Sequence, residues 1–390
     1  MTSHLFDTPA AGAKIGTLYV AFELSKSTWE VGLVVSGERT LSRHKISGGD
    51  TSGLWQVISK KREQAEKKQG GPVRVVSCYE AGYDGFWLDR WLSEQGVENR
   101  VLDPSSIEMP RRARQAKTDR LDLERLMRVL IRYEGGEPKV CSVVHPPTPE
   151  QEDARRVTRE RERLIGERTA HTNRIKGLLH GQGVRDVHPR RKGFLEQLVQ
   201  LRTGDGRAVP TNLAAEITRE HARLVKVCEQ IAEIEGQMKA ARAAAAADSR
   251  VGQVNHLISL KSLGPIGGEN LVNEVFWRDF QNRRQVGAYF GLTGTPFDSG
   301  QSSREQGISK AGNRRARSLA VELAWLWQRY QPDSALSLWF KERVGTQKGR
   351  VKRIAIVALA RKLMVALWRF LTTGLVPEGA KLRTVAPAGR

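Results

Sequence analysis

The order of apolar runs in the first third of the chain limits its fold more than any other feature of the sequence. Residues 16–36 contain two runs of β-prone residues broken at Ser25–Ser27, and a third run follows at residues 39–47. Short apolar runs of this kind, separated by turn residues, are typical of β-strands. The segment therefore predicts three consecutive antiparallel strands.

Helical and strand patterns alternate after these three strands. The predicted elements are a helix at 51–66, a buried strand at 73–79, a helix at 85–95, a strand at 98–103 and an amphipathic helix at 118–133. A strand-rich start followed by helix–strand crossovers is the element order of the RNase H fold, although other folds share it. We therefore expect an α/β domain of the RNase H-like class at residues 15–145.

The middle of the chain is expected to be helical. A proline-rich stretch near residues 138–149 is typical of a linker between domains. Charge-rich helical sequence then runs through residues 150–182 and 213–247. These stretches predict a long antiparallel helical hairpin or coiled coil at residues 146–250. A dimerisation arm is the favoured role, with a cradle for nucleic acid or a solvated spacer as the alternatives.

Helical sequence also fills most of residues 251–378, which predict a mostly helical C-terminal domain. A Gly-Pro-Ile-Gly-Gly turn at 264–268 is typical of a helix-hairpin-helix element, whose turn amides can face a phosphate. The segment TGTPFDSGQSS at 293–303 predicts a loop, and a helix is predicted to begin near Asn313. Apolar neighbours favour a core position for Trp325, Trp327, Trp339 and Trp368.

The charge of the chain indicates a polyanionic partner. Lys and Arg number 64 against 43 Asp and Glu, a formal net charge of +21. Such an excess most often serves nucleic acid, although a ribosomal or chaperone-like basic protein, or one tuned for solubility, fits it as well. The three cysteines lack zinc-ligand spacing, and no apolar run approaches the ~20 residues of a membrane span. We therefore expect a cytoplasmic protein without disulfides.

Four acidic residues stand out by their positions. Glu23 lies in the first predicted strand, Glu80 ends the buried strand, and Asp119 and Asp122 lie one helical turn apart. Carboxylates at buried strand ends need a partner, and oxygen ligands suit Mg²⁺, so a shared magnesium site explains all four economically. The alternatives are an N-terminal helix residue favoured by the dipole for Asp119, and edge-strand charges for Glu23 and Glu80.

Several segments together are similar to one known family. LYVAFELSKSTWEVGL, SCYEAGYDGFWL and ARQAKTDRLDLERL resemble the RuvC-like half of the IS110 insertion-sequence transposases, which are DEDD-type enzymes described as bridge-RNA-guided recombinases. ISLKSLGPIGG, VGAYFGLTGTPFDSG and GISKAGNRRAR resemble the second half of that family. The resemblance covers essentially the whole chain and is weakest in the helical middle. It implies transposition and DNA recombination, as donor and target DNA are cut and rejoined by a homodimer or homotetramer associated with the bacterial nucleoid.

The resemblance also implies roles for individual residues. Glu23, Glu80, Asp119 and Asp122 are the implied Mg²⁺ ligands of the DEDD motif, and Ser299 is the implied nucleophile of a serine recombinase that attacks the DNA phosphate. A structured guide RNA is the further implied partner, which makes the chain RNA-binding as well as DNA-binding. The family usually has Asp where this chain has Glu23, and Asp103 is a fallback ligand.

Chemistry alone leaves several of these assignments open. Ser302 or Ser303 is as good a nucleophile as Ser299 by residue type, and a serine needs a base or a metal to activate it. A run of basic residues is expected to hold phosphates, with a solvated helix face as the alternative. The predicted nucleic-acid-binding residues are Arg111, Arg112, Arg114, Lys117, Arg304, Lys310, Arg314, Arg315 and Arg317. A junction nuclease that uses metal-activated water and an inactive nucleic-acid-binding derivative are the alternative functions.

Overall fold

The computed structural model of the 390-residue chain describes residues 16–107, 119–299 and 302–383. The chain forms two compact units, Met1–Thr148 and Pro149–Arg390. The predicted further division near residue 250 stays a prediction. No helix in the described part of the chain is long and apolar enough to cross a membrane.

The first unit is built on a mixed five-stranded sheet with the order β3-β2-β1-β4-β5. The strands are β1 (Gly16–Leu24), β2 (Thr28–Val35), β3 (Ser42–Ser47), β4 (Val73–Glu80) and β5 (Glu98–Leu102). The first three pair antiparallel, and β4 runs parallel to both β1 and β5. The predicted α/β class, the three antiparallel strands and the predicted order of elements along the chain are confirmed.

Helices cover both faces of this sheet. They are α1 (Thr51–Gln69), α2 (Trp87–Glu94) and α3 (Asp119–Glu134). Phe22 of β1 packs in one core cluster with Leu54 of α1 and Leu88 of α2. On the opposite face of the sheet, Ala21 of β1 packs in a second core cluster with Leu126 of α3. Because side chains alternate along a strand, every second residue of the central strands faces α3.

The second unit begins with two long antiparallel helices. They are α4 (Pro149–His180) and α6 (Thr211–Ala244), and the short helix α5 (Phe194–Gln200) lies in the connector between them. Three contacts between α4 and α6 show the antiparallel direction, because higher residue numbers on α4 meet lower residue numbers on α6. They are the ion pairs Arg161–Glu235 and Arg174–Glu216 and the hydrogen bond between His171 and Glu220. The predicted hairpin is present, but its connector contains a helix that the Gly-, Pro- and Arg-rich sequence concealed.

The remainder of the second unit is helical around one β-hairpin. Its elements are α7 (Arg250–Ile258), α8 (Pro265–Glu274), α9 (Arg283–Tyr289), β6 (Gly294–Ser299), β7 (Ser302–Ile308), α10 (Arg314–Tyr330), α11 (Ala335–Val344) and α12 (Arg350–Thr373). Phe290, Trp327 and Leu363 lie in one buried core cluster. The predicted core position of Trp327 is confirmed, whereas Trp325 is 39% exposed.

Two local predictions in this part were wrong. The segment predicted as a loop at 293–303 contains the paired strands β6 and β7. Pro296 and the small residues concealed their strand character, because such residues are typical of turns. The Gly-Pro-Ile-Gly-Gly sequence is the start of α8 rather than a turn between helices, since Gly264 is the N-cap and Pro265 is the first helical residue. Proline suits that position because its missing N–H would have no helical partner there.

Candidate carboxylate site and nucleic-acid-binding residues

Glu23 and Glu80 are neighbours at one edge of the central sheet. Strands β1 and β4 pair in parallel up to the residue before each of them. Ala21 and Cys78, two positions earlier, belong to the core cluster that includes α3. The two-residue alternation of a strand therefore places both carboxylates at the carboxyl ends of two central strands, on the face that α3 covers.

Asp122 reaches the same place from α3. Its helix is held against the sheet by the fully buried Leu123 and Leu126, and Asp122 itself is 9% exposed. The Nη2 atom of Arg125 lies 3.2 Å from Asp122 Oδ1 and 3.3 Å from Glu80 Oε1. Since one nitrogen atom contacts both carboxylates, the two acids converge around a single positive charge.

The structure gives less detail for the other two predicted ligands, Glu23 and Asp119. Glu23 is half-buried beside Glu80, and Asp119 begins α3 one turn before Asp122. The side chain of Asp119 lies outside the described residues. Among the side chains that are described, no three of the types His, Cys, Asp and Glu are grouped closely enough to hold a metal ion. The described geometry is therefore a carboxylate pair joined by Arg125.

Asp103 has a local role at the end of β5. Its Oδ1 atom accepts hydrogen bonds from the backbone N–H of Ser105 at 2.9 Å and from the Ser105 hydroxyl at 2.8 Å. Such bonds cap a turn, as a short polar side chain often does after a strand. The position of Asp103, the fallback ligand, is thus explained by its hydrogen bonds in this turn, without a metal.

The same edge of the sheet carries an exposed aromatic residue that the sequence did not single out. Tyr83, in the segment after β4, is 95% exposed. Lys26, in the turn after β1, places its Nζ atom 5.1 Å from the centroid of the Tyr83 ring. An exposed aromatic ring beside a cation suits stacking with a nucleotide. No periodic pattern marks a lone tyrosine between glycines, so sequence reasoning passed over it.

The predicted nucleophile lies at the closed end of the β6–β7 hairpin. Ser299 is the last residue of β6 and pairs with Ser302, while Asp298 pairs with Ser303. The backbone of all three serines therefore meets at one end of the hairpin. Their side chains lie outside the described residues, so the assignment of Ser299 rather than Ser302 or Ser303 stays a prediction.

The predicted basic residues fall into three groups. Arg111, Arg112, Arg114 and Lys117 lie outside the described residues. Arg304, Lys310 and Arg314 are exposed. Arg317 instead donates from Nη1 to the backbone oxygens of Phe290 at 3.2 Å and Lys310 at 3.1 Å, and Arg315 Nε lies 3.0 Å from Glu162. The last two guanidinium groups therefore have partners within the protein.

Arginines from two helices surround one buried carboxylate. Glu274, at the end of α8, is 2% exposed and accepts two hydrogen bonds from Arg159 of α4, at 2.6 and 2.9 Å. Arg315 of α10 lies 3.5 Å from it. Burial raises the pKa of this carboxyl, but hydrogen bonding and the charges of the surrounding arginines lower it more, so the net pKa lies below the usual range. Glu274 thus stays charged and ties three helices together.

Comparison with known proteins gives consistent matches over both halves of the chain. A transposase family model with the DEDD and IS110 designation matches residues 23–182, beginning at Glu23. A second family model, described as the transposase IS116/IS110/IS902 family, matches residues 254–337. The first match spans the carboxylate edge and the second spans the β6–β7 hairpin.

Individual relatives agree with these matches. A Sinorhizobium fredii protein named as a transposase, y4rJ, is 44% identical over 95% of this chain and 96% of its own length. The transposase for insertion sequence element IS1328 of Yersinia enterocolitica is 26% identical over 78% of this chain and 84% of its own. The transposase for IS1111A of Coxiella burnetii is 26% identical, over 77% and 78% respectively.

The acidic sheet edge and these matches define the class as a DEDD-type transposase. Within that class, the chain belongs to the IS110/IS116 transposase family.

Proposed function

We propose that this chain is the transposase of an insertion sequence and that it cuts and rejoins DNA with a divalent metal ion held at the sheet edge. The observation that carries the proposal is the convergence of Glu80 and Asp122 on one nitrogen of Arg125. A carboxylate at the carboxyl end of a central strand and a second one on the helix that covers the sheet, both in contact with one positive charge, form an arrangement that suits a cation. The strand order β3-β2-β1-β4-β5 supports an RNase H-like, RuvC-like domain around it.

Magnesium is the ion that the donor set fits. All four proposed ligands offer carboxylate oxygens, which Mg²⁺ prefers, and it commonly retains water and phosphate as further ligands. Glu80 and Asp122 would hold it, with Glu23 beside them and Asp119 from the same helix face. When bound, the ion would supply electrostatic stabilisation of the phosphate undergoing attack. Arg125 keeps the two carboxylates together before a metal binds, because it offsets their mutual repulsion.

Ser299 is the proposed nucleophile. In the proposed step its hydroxyl oxygen forms a bond to phosphorus, the bond from phosphorus to a sugar oxygen breaks, and the serine proton leaves to a base while the sugar oxygen gains one. The transfer conserves one phosphodiester bond, which lets the strand be rejoined without an energy source. Support comes from the resemblance of the FDSG segment and from the position of Ser299 at the end of a hairpin.

A structured RNA is the proposed guide, and a dimer or tetramer the proposed assembly. The family resemblance and the net charge of +21 support an RNA partner. The long α4–α6 pair supports a role in assembly, because a two-helix arm exposes helix faces to a second copy.

Covalent capture of DNA tests this function. Wild-type chain with its element's DNA, the RNA transcribed from that element and Mg²⁺ is expected to form a protein–DNA adduct that survives denaturing electrophoresis. Ser299→Ala should abolish the adduct, whereas Ser302→Ala and Ser303→Ala should retain it. Cutting that persists in Ser299→Ala without any adduct would instead establish water as the nucleophile. Binding without cutting in every variant would establish an inactive derivative.

A further inference from the structure

The second unit contains a large cleft, and of its lining residues the sequence analysis predicted only Lys310 to bind phosphate. It has a volume of about 1700 Å³ and is lined by α9, α11, α12 and the base of the β6–β7 hairpin. Nine arginine or lysine side chains line it against one carboxylate, that of Glu378. We call it the α12 cleft. The arginines that α9 and α12 contribute are Arg283, Arg284, Arg350, Arg353, Arg361 and Arg369.

Ion pairs among the described residues do not neutralise the charges of the α12 cleft. Within the described residues, none of its nine cations lies within 4.0 Å of a carboxylate oxygen. Elsewhere in the same unit Arg159, Arg161, Arg174, Arg242 and Arg315 are all ion-paired. Like charges gathered in one cleft repel each other, so folding alone does not favour them. A bound polyanion would remove that repulsion.

The lining of the α12 cleft alternates between cationic and apolar groups. On α12, Arg353, Val357, Arg361, Val365 and Arg369 follow each other at intervals of four residues, and all of them line the cleft. Successive arginines are therefore about 12 Å apart along the helix, with a valine between them. Guanidinium groups bind phosphate oxygens in two-pronged geometry, and apolar side chains suit sugars and base faces. This combination fits a nucleic-acid strand better than a small anion.

We propose that the α12 cleft binds the phosphodiester backbone of a nucleic-acid strand and leads it toward the β6–β7 hairpin. Gly294, Gln306 and Gly307, at the base of that hairpin, also line the cleft. Ser299 is five residues beyond Gly294 along β6, or roughly 17 Å at the rise of an extended strand. A strand seated in the cleft thus lies within reach of the segment that carries the proposed nucleophile. The inference rests on the proposed function, which supplies the reason for a strand to be there.

Binding measurements with charge-neutralised variants test this site. The test variant is Arg353→Gln/Arg361→Gln/Arg369→Gln in the full chain. The matched control, Lys60→Gln/Lys67→Gln/Arg219→Gln, removes the same charge from exposed side chains outside the cleft. Single-stranded DNA, duplex DNA and an RNA hairpin are the three probes, each titrated over a range of salt. Because Arg361 packs beside Gly287 of α9, a double variant, Arg353→Gln/Arg369→Gln, guards against misfolding.

The test variant is expected to bind roughly 10- to 100-fold more weakly than the control to at least one probe, with a salt slope lower by about 2 to 3. Loss on the DNA probes assigns DNA to the cleft, and loss on the hairpin assigns RNA. Affinities and slopes equal to those of the control on all three probes overturn the inference. The proposed function fails separately, because wild-type chain would then show neither adduct nor cutting, whatever the cleft binds.

Discussion

The acidic edge of the first unit and the α12 cleft of the second gather charges of opposite sign. At the edge, Glu80 and Asp122 share one guanidinium, so negative charge is gathered and partly offset within the protein. In the cleft, nine cations and a single carboxylate line the wall, and none of these cations forms an ion pair with a described carboxylate. We therefore propose a metal cation as the ligand of the edge and phosphates as the ligand of the cleft.

The Glu274 cluster, formed by Glu274, Arg159 and Arg315, shows how paired charges contribute to folding. Arg159 and Arg315 both contact that buried carboxylate, and the three side chains join α4, α8 and α10. A buried charge is retained when it is paired and hydrogen-bonded, because an unpaired one is costly. The contrast separates arginines that are ion-paired with Glu274 from the arginines of the α12 cleft, which we propose to bind a nucleic-acid strand.

Removing a carboxylate from the acidic edge has the largest expected effect. Asp122→Asn should reduce DNA cutting by more than about 100-fold, the upper limit for loss of a merely supporting residue at a metal site. Nucleic-acid binding should change little, because the α12 cleft is untouched. The matched control is Glu124→Gln on the same helix, whose carboxylate pairs with Arg43 of β3. Equal loss of cutting in both variants would show that any charge change on α3 suffices.

Neutralising the Glu274 cluster should affect stability rather than binding. Glu274→Gln leaves the partly exposed guanidinium groups of Arg159 and Arg315 without their buried carboxylate, which should cost about 2 kcal/mol after allowance for solvent screening. The second unit should then melt about 4–8 °C lower in calorimetry. Salt-dependent DNA binding should stay at the wild-type level. A loss of binding in the folded variant would break the distinction between the two kinds of arginine.

The same variant has a definite pH dependence. The folded pKa of Glu274 lies below its ordinary value of 4.5, so its charge stabilises the folded state at neutral pH. That contribution is lost as the pH falls through 4.5 and then through the lower folded value. The difference in melting temperature between wild type and Glu274→Gln should therefore shrink in acid. A difference that grows below pH 4.5 would contradict the sign of the shift.

Removing the cation from the acidic edge should have a smaller effect. Arg125→Gln leaves Glu80 and Asp122 facing each other without a positive charge, at a cost of about 1 kcal/mol without metal. Added Mg²⁺ should restore the melting temperature of this variant more than it raises that of the wild type. The same Mg²⁺ response in both proteins would show that Arg125 does not occupy the place of a metal.

Exchange at position 23 should have the smallest effect. Glu23→Asp preserves the charge and shortens the side chain by one methylene group, so the rate of cutting should change by less than about 5-fold. Cutting assays of both forms under the same Mg²⁺ concentration measure this. If the wild type is inert and Glu23→Asp cuts, this chain is an inactive derivative. The α12 cleft would then bind nucleic acid without cutting at the acidic edge.

Strong local patterns made most of the fold predictable. The apolar strand at 73–79 and the amphipathic helix at 118–133 appear as β4 and α3 with ends shifted by one residue. The convergence of Glu80 with Asp122 followed from strand-end and helix-face positions. Short elements without periodicity were missed. The β6–β7 hairpin was missed because its Gly, Pro and Ser are also turn residues, and α5 was missed because it is short and lies in a connector rich in Gly, Pro and Arg.

Features that depend on several distant segments were not predictable. The α12 cleft joins α9, α11, α12 and a hairpin, and its arginines look in sequence like the solvated side of an amphipathic helix. Sequence alone also did not separate Arg315 and Arg317, which contact carboxylate or backbone oxygens of the protein, from Arg304 and Arg314. Pairing partners decide that difference, and they are set by tertiary structure.

Calorimetric titration of the full chain with Mn²⁺ tests the acidic edge most directly. Mn²⁺ serves as a stand-in for Mg²⁺, since both take oxygen ligands. Saturable binding is predicted for the wild type and for Glu124→Gln, with loss of that binding in Glu80→Gln and in Asp122→Asn. Equal Mn²⁺ affinity in all four proteins would contradict a metal site formed by these carboxylates.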